Sequence, residues 1–351
     1  VPSSERDVVI LEEPDHINWY HHGARWTSSY THVIGILHTN YVHYAQYEER
    51  SGGAGDIPPP VRAAIMASLN SIVCYAHLDV GIRLSASLPD VPGTTRVCNV
   101  HGVRGDFLAL GAAMASLSTS EREAAFGDGA YFLGKALWTK GYRLLFDELS
   151  RVSARGGGQK VASLPLVSTY GSGRDEAEIA AEVESRGLPV LLHPATDHAS
   201  PCLHGYKVFV NPSTSEVLCT ATAEALAMGK KVLLPRHPSN RFFEQFTNAF
   251  FYDNISSLVP MMMEALASPP AAMSAKEQYL LSWEAATERL LDSALLTEAG
   301  PTQRTSPIAA AAHALHNSLG WGPLADYFRE NSGATPGTQL PVERLREIAC
   351  S

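Results

Sequence analysis

The chain has few cysteines and no long apolar run, and both shortages exclude classes of protein. None of its 351 residues belongs to an unbroken apolar stretch of the roughly 18–20 residues that span a bilayer. Its five cysteines are scattered, and none forms a Cys-x-x-Cys pair. We therefore expect reduced thiols rather than a disulfide framework, and any membrane contact to be peripheral.

Basic charge is also scarce. Lysine and arginine number 27 against 36 acidic residues, which gives a net charge of -9. No basic stripe stands out along the chain, so the composition argues against a nucleic-acid partner.

Short apolar and β-branched runs recur along the chain, separated by helical or loop stretches. In the first part they lie at residues 8–11, 33–37, 80–84 and 97–98. In the second part, predicted strands lie at 130–134, 164–169, 189–192, 206–210 and 231–234, and predicted helices at 141–149, 177–185 and 218–228. This alternation predicts an α/β protein with parallel sheets, the second of a doubly wound, nucleotide-binding type.

Four other segments have a recognisable composition. Residues 51–60 are rich in Gly and Pro and predict a loop, and residues 104–128 read as a charged, Ala-rich connector. Residues 276–296 predict one long amphipathic helix, and residues 308–315 an Ala-rich helix.

The segment 206–229 is the most informative, because it reads as strand, polar turn and helix. Glu216 and Glu224 flank the start of that helix, with seven residues between them. A helix N-terminus exposes unpaired N–H groups and a partial positive charge, which suit a diphosphate. A carboxylate beside it can accept hydrogen bonds from neighbouring sugar hydroxyls. The alternative is a capping acid followed by an exposed helix acid.

The spacing of these two acids resembles the Glu-x7-Glu signature of retaining glycosyltransferases with the two-domain GT-B fold, in their sucrose-synthase-like group. Other segments look like the digalactosyldiacylglycerol synthases of plastid envelopes. They are residues 11–23, 38–41, 97–103, 129–135, 281–287 and 332–338. The resemblance runs from about residue 8 to about residue 340, and residues 19–22 and 38–41 are its most specific parts.

This resemblance implies an α/β fold of the GT-B type, with two Rossmann-like domains facing a cleft. It divides the chain into an acceptor-side Rossmann-like domain with a linker at 1–118, a nucleotide-sugar donor domain at 119–275, and a crossover helix and C-terminal tail at 276–351. It also implies further strands and a Gly-rich loop before residue 8, so we expect the N-terminal domain to be incomplete in this chain.

The resemblance assigns the donor site to the second domain. There Glu216 would bind hydroxyls of the donor galactose, and Glu224 would bind the ribose hydroxyls of uridine. The other donor contacts it implies are the turn glycines Gly134, Gly171 and Gly173 and the backbone N–H groups of Val217, Leu218 and Cys219.

Two lysines would stabilise the leaving group. Lys135 and Lys140 lie around a predicted strand-to-helix turn, and their ammonium groups would neutralise the charge that develops on UDP. The alternative is a pair of solvated surface lysines. No Asp-x-Asp pair occurs in the chain, so we expect neither a metal nor another cofactor to be needed for the chemistry. His38, at the end of an apolar run, would pack under the sugar and help bind its 6-hydroxyl.

Acids, imidazoles and aromatics cluster near the N-terminus, where we expect the acceptor sugar and the lipid headgroup to bind. These residues are Glu12, Glu13, His16, Trp19, His21 and His22. Ordinary packing around the site is the alternative, and their spacing matches no zinc pattern. Contact with the membrane would fall to Trp19, Tyr20, Trp26 and Tyr30, for which core packing is the alternative.

The function that the resemblance implies is transfer of galactose from UDP-galactose to monogalactosyldiacylglycerol, with retention of configuration, at the chloroplast outer envelope membrane. Two alternatives stay open at this point. The chain could be a related lipid glycosyltransferase that uses another sugar, or a truncated, inactive homologue that binds a membrane or a partner protein.

Overall fold

The computed structural model describes residues 2–18, 23–47, 57–127, 129–155, 164–296 and 306–319. The chain forms two compact units, each with a parallel sheet of its own. The first unit comprises Val1–Arg83, Leu88–Cys98 and Leu291–Ser351, and the second comprises Leu84–Ser87 and Asn99–Leu290. The prediction of an α/β protein with parallel sheets is therefore confirmed.

The sheet of the first unit has four strands in the order β1-β2-β3-β4, all parallel. They are β1 Val8–Glu12, β2 His32–Leu37, β3 Val80–Arg83 and β4 Thr95–Val97. The helices of this unit are α1 Pro14–Asn18, α2 Trp26–Ser29, α3 Tyr41–Tyr47, α4 Pro59–His77 and α14 Pro307–Leu319. The last of these packs against α4 and extends the predicted Ala-rich helix at 308–315.

The sheet of the second unit has six parallel strands in the order β10-β9-β8-β5-β6-β7. They are β5 Ala130–Leu133, β6 Val167–Tyr170, β7 Val190–His193, β8 Val208–Val210, β9 Lys231–Pro235 and β10 Ala249–Tyr252. The strand order reverses between β5 and β8. In open α/β sheets, ligands bind at the carboxyl ends of the strands at such a reversal point. The loops that follow β5 and β8 are therefore the place to look for a site.

Helices follow most of these strands. They are α5 Gly105–Ser116, α6 Thr119–Ala125, α7 Tyr142–Arg155, α8 Glu176–Arg186, α9 Pro201–His204, α10 Thr220–Ala227, α11 Leu258–Leu266, α12 Ala275–Leu280 and α13 Trp283–Ala294. A turn of 3-10 helix at Trp138–Lys140 precedes α7.

Apolar residues cover both faces of the second sheet, as a doubly wound fold requires. On β5 and β8, Tyr131 and Phe209 belong to one buried cluster, and Phe132 and Val208 belong to the other. Successive side chains of a strand point to opposite faces, so each strand contributes to both clusters.

Two expectations from the sequence are wrong. The helix predicted at 276–296 is broken, because the backbone turns at Leu281–Ser282 between α12 and α13. The stretch 104–128 is more than a connector, since it holds α5 and α6. Helix α5 packs against α10, where a Cβ on Gly111 would meet the Ala227 carbonyl oxygen at 1.8 Å.

The division at 1–118, 119–275 and 276–351 stays a prediction, because compactness does not tell which segments hold a donor or an acceptor. Within the described parts of the chain, no helix combines the length and the apolar character needed to span a bilayer.

Candidate functional site

An ion pair forms where β5 and β8 end. Nζ of Lys140 donates to Oε1 of Glu216 over 2.7 Å, and both side chains are partly buried. Lys140 lies in the loop after β5 and Glu216 in the loop after β8, so two residues predicted separately from the sequence meet at the strand reversal. The other carboxylate oxygen of Glu216 has no partner among the described residues.

A glycine brings these two loops close together. Gly141 follows Lys140 and has φ 91°, in the left-handed region that glycine tolerates. A Cβ at this position would lie 2.7 Å from the carbonyl group of Pro212. Ser215 Oγ also donates to the Thr139 carbonyl over 2.9 Å, which joins the two loops directly. The close approach of Lys140 to Glu216 therefore depends on Gly141.

The start of helix α10 presents a row of backbone donors. Cys219 is its N-cap residue, and its side chain does not cap the helix. Across the described part of the chain, the N–H groups of Val217, Leu218 and Cys219 have no acceptor. Burial raises the pKa of the Cys219 thiol to about 12, with the charge of Glu216 adding to the effect, so the thiol stays neutral. Backbone N–H donors at a helix start, together with the ammonium group of Lys140, suit an anion such as a diphosphate.

The second acid of the signature is held by a histidine that the sequence analysis did not single out. Nδ1 of His198 lies 2.7 Å from Oε2 of Glu224, and Nε2 of His198 lies 2.7 Å from the Tyr131 hydroxyl. His198 follows β7, and Tyr131 lies in β5. A polar residue after a strand end was the only available signal, and the sequence contains many of these.

The three predicted turn glycines pack two loops together. A Cβ on Gly171 would lie 1.8 Å from the Gly134 carbonyl oxygen, and one on Gly173 would lie 2.4 Å from the Ala136 carbonyl oxygen. These glycines support the loop that carries Lys135. The side chain of Lys135 is exposed and contacts no carboxylate within the described ranges, so it is not brought into the Lys140–Glu216 pair. Donor contact by these four residues stays a prediction.

In the first unit, Glu13 contacts His16, another predicted acceptor residue, and His38, which is predicted to lie under the donor sugar. Glu13 follows β1 with φ 50°, an uncommon conformation for a residue other than glycine. Its carboxylate accepts hydrogen bonds from the hydroxyls of Thr39 and Tyr41, the latter over 2.8 Å. It also pairs with Nδ1 of His38 at 3.2 Å and Nδ1 of His16 at 3.4 Å. Parallel strands β1 and β2 end at the same edge, which brings Glu13 and His38 together.

The pKa values around Glu13 reflect this crowding. Burial alone would raise the pKa of Glu13, but the hydrogen bonds from Thr39 and Tyr41 and the charge of His38 hold it below its ordinary value. Burial raises the pKa of Asp15, two residues on, to about 7. Glu12 is exposed and is not part of this cluster.

Other predicted acceptor and membrane residues are placed only in part. Trp19, Tyr20, His21 and His22 lie outside the described residues. Trp26 is half-buried and donates its indole N–H to Asn18 over 2.9 Å, and Tyr30 is also half-buried. Trp26 thus has a partner within the first unit, and membrane contact by Trp26 and Tyr30 stays a prediction.

No group of three or more His, Cys, Asp or Glu side chains in the described ranges is arranged to hold a metal ion. The expectation that the chemistry needs neither a metal nor another cofactor stays a prediction.

Comparisons with known proteins bear on the fold and the family of the chain. The family model described as "Glycosyl transferases group 1" matches residues 128–266, which include both loops of the Lys140–Glu216 pair. Among solved structures, sucrose-phosphate synthase from Thermosynechococcus elongatus is similar with a TM-score of 0.56 at 14% identity, over 81% of this chain and 72% of that one. Anabaena HepE, solved in complex with UDP, has a TM-score of 0.55 at 12% identity, over 82% and 78%. These likenesses confirm the GT-B fold class.

Curated relatives are much closer in sequence. Chloroplastic digalactosyldiacylglycerol synthase 1 of Lotus japonicus is 41% identical over 97% of this chain, which spans 44% of that protein. The synthase 1 of Arabidopsis thaliana is 39% identical over 97% of the chain, which spans 41% of it. The chain thus spans less than half the length of these two relatives. Chloroplastic synthase 2 of Glycine max is 39% identical over 99% of the chain, which spans 74% of that protein. By these matches, the chain belongs to the digalactosyldiacylglycerol synthase family.

Proposed function

We propose that this chain transfers galactose from UDP-galactose to the 6-hydroxyl of monogalactosyldiacylglycerol with retention of configuration. The product is digalactosyldiacylglycerol, and the site of action is the chloroplast outer envelope membrane, to which the protein binds peripherally. The names of the relatives support the product and the chloroplast.

The observation that carries the proposal is the arrangement at the strand reversal of the second unit. One carboxylate oxygen of Glu216 is paired with Lys140, and the other is open to hydroxyls of the donor sugar. Beside it, the N–H groups of residues 217–219, which have no acceptor among the described residues, are suited to the diphosphate. Lys140 and the backbone donors match the diphosphate of a nucleotide sugar, and the partly exposed carboxylate of Glu216 matches its sugar hydroxyls.

The chemistry follows from the charge that develops. The bond between C1 of galactose and the β-phosphate oxygen breaks, and UDP gains negative charge that Lys140, Lys135 and the N–H groups stabilise. The acceptor 6-hydroxyl attacks C1 from the same face, and its proton passes to the departing phosphate oxygen. UDP is its own base in this step, so the protein needs no separate general base.

The first unit supplies the acceptor contacts in this proposal. The imidazoles of His16 and His38 are 48% and 40% exposed, while the carboxylate of Glu13 that holds them is 19% exposed. Glu13 thus contacts two partly exposed rings, and in this proposal both rings bind sugar hydroxyls.

The test is product formation by the purified chain on vesicles that contain monogalactosyldiacylglycerol. We expect mass spectrometry to find digalactosyldiacylglycerol with UDP-galactose and much less dihexosyl lipid with UDP-glucose. A preference for another nucleotide sugar would replace the donor assignment. Vesicle or partner binding without any transfer, at every donor tried, would contradict the enzymatic proposal.

Peripheral attachment has its own test. Alkaline carbonate should release the protein from isolated chloroplast envelopes, because surface contacts do not survive that treatment. Retention in the membrane pellet would contradict peripheral binding.

A further inference from the structure

His198 lies between a core tyrosine and the acid predicted to bind ribose. Its ring is 5% exposed and is packed among the rings of Phe107, Tyr131 and Phe209, with centroid distances of 5.7, 5.7 and 5.9 Å. Both ring nitrogens face polar atoms at 2.7 Å, the Glu224 carboxylate on one side and the Tyr131 hydroxyl on the other. An apolar surrounding with two short polar contacts holds the imidazole in one orientation.

The chemistry of the two groups fixes the direction of the hydrogen bond between His198 and Glu224. An ionised carboxylate only accepts, so Nδ1–H of His198 donates to Oε2 of Glu224. The Tyr131 hydroxyl is fully buried and has no other hydrogen-bond partner among the described residues. Rotating the ring would leave that buried hydroxyl unsatisfied, which is unfavourable. Tyr131 therefore keeps His198 in the orientation that reaches Glu224.

His198 holds one oxygen of the Glu224 carboxylate, Oε2. Its side chain is 23% exposed, and Oε1 has no partner within the parts of the chain that the structure describes. A free glutamate side chain loses rotamer entropy when it is fixed. Because His198 already fixes Glu224, a ligand that binds Oε1 does not bear that cost.

We propose that His198 is a positioning residue for the donor nucleotide. It orients Glu224 so that Oε1 accepts hydrogen bonds from the 2′- and 3′-hydroxyls of ribose, with Tyr131 as its anchor in the core. This inference rests on the proposed function, in which Glu224 is the ribose ligand.

The test compares UDP with 2′,3′-dideoxy-UDP, which lacks the two hydroxyls, by calorimetric titration of the full chain. A hydrogen bond to a charged group is worth about 1.5–3 kcal/mol, so we expect the wild type to prefer UDP by roughly 10- to 100-fold. His198→Ala should reduce the preference to about threefold or less, by weakening UDP binding while dideoxy-UDP binding changes little. His198→Asn, whose amide can donate as Nδ1–H does, should retain most of the preference.

A matched histidine provides the control. His204 donates to the Ala199 carbonyl over 2.9 Å and is partly buried, whereas His198 is buried. Among the described contacts, His204 does not reach Glu224. His204→Ala should leave the ratio of the two affinities at its wild-type value, because a structural loss weakens both ligands equally. If His198→Ala does not fold, Tyr131→Phe keeps the shape of the core and should still lower the ratio.

Glu224→Ala distinguishes a failure of the His198 role from a failure of the ribose assignment. Suppose that Glu224→Ala abolishes the preference for UDP over dideoxy-UDP. The positioning role is then overturned if His198→Ala keeps the wild-type preference. If His198→Ala does not fold, the same result in Tyr131→Phe overturns it. A wild-type ratio in Glu224→Ala shows instead that this acid does not bind ribose, and the role of His198 fails with it.

Discussion

The two units hold their acids differently. In the first unit, both oxygens of Glu13 are occupied by four side chains of the protein itself. In the second unit, Glu216 and Glu224 each have one oxygen held, by Lys140 and by His198, while the other has no described partner. A saturated carboxylate orients its neighbours, whereas a half-held carboxylate is both oriented and available to a ligand.

The difference changes the interpretation of the first unit. The sequence analysis predicts that Glu13 itself binds the acceptor sugar. Because its oxygens are already occupied, we expect its contribution to be the orientation of His16 and His38. The pairs in the second unit keep the more direct assignment, in which the acids themselves bind sugar hydroxyls.

The largest expected effect concerns the buried neighbour of Glu13. The pKa of Asp15 is raised by burial to about 7 from its ordinary 3.8, so the folded state holds a proton that the unfolded chain has lost across this range. Stability should therefore fall as pH rises from about 4 to about 7, by as much as about 4 kcal/mol. Asp15→Asn, which resembles the protonated acid, should remove this dependence. The measurement is the urea midpoint at pH 4.5 and 8, and equal pH dependence in both proteins would contradict the prediction.

Substitutions in the Lys140–Glu216 pair should affect activity more than stability. Lys140→Ala and Glu216→Ala should each lower kcat/KM for UDP-galactose by about 100-fold or more. The double variant should lose little beyond the larger single effect, because each residue orients the other. Steady-state rates and urea midpoints check this together. Glu184→Ala, an exposed acid on α8, is the control and should act like the wild type. Additive losses would show that the two residues work independently.

Substitution of Gly141, which follows Lys140, should lower activity by an intermediate amount. Gly141→Ala puts a Cβ 2.7 Å from the Pro212 carbonyl group at a φ of 91°, so the turn that carries Lys140 must shift. We expect kcat/KM to fall about tenfold, since small displacements of positioned groups are costly. Gly187→Ala is the matched control, because Gly187 also has a positive φ, 58°, but nothing lies within 4 Å of its added Cβ. Equal activity in the two variants would argue against the close approach.

Substitution of Glu13, whose two carboxylate oxygens are both occupied, should have the smallest effect of the four. Glu13→Gln keeps the shape but replaces one acceptor oxygen with a donor, so we expect a loss of about 1 kcal/mol in the free energy of unfolding. Glu12→Gln, at the exposed neighbour, should change it little. The comparison of saturated and half-held acids fails if Glu13→Gln abolishes activity as strongly as Glu216→Ala while leaving stability unchanged.

The sequence predicts the fold better than it predicts the contacts. The strand, turn and helix of residues 206–229 can be predicted because a β-rich run, a polar turn and strong helix formers follow one another. The break at Leu281–Ser282 is not, because both halves have amphipathic helical patterns and only tertiary packing separates them. Strand β10, Ala249–Tyr252, is missed because it is short and does not alternate.

The candidate site shows the same limit. Glu216 and Lys140 can be nominated from motifs, but their pairing depends on the strand order, which puts β8 beside β5. His198 is invisible in the sequence, since its meaning comes from Tyr131 and Glu224, which lie 67 and 26 residues away along the chain. The role of Gly171 as a support for the Gly134 loop likewise depends on which loops the fold makes neighbours.

The central claim is a retaining galactosyl transfer by this chain, and the anomeric configuration of the product tests it most directly. A proton NMR spectrum of the lipid made from UDP-galactose and monogalactosyldiacylglycerol should show an α anomeric proton on the terminal galactose, because attack and departure share one face of the sugar. A β anomeric proton would require a base on the opposite face and would contradict both the assigned mechanism and the roles given to Lys140 and Glu216.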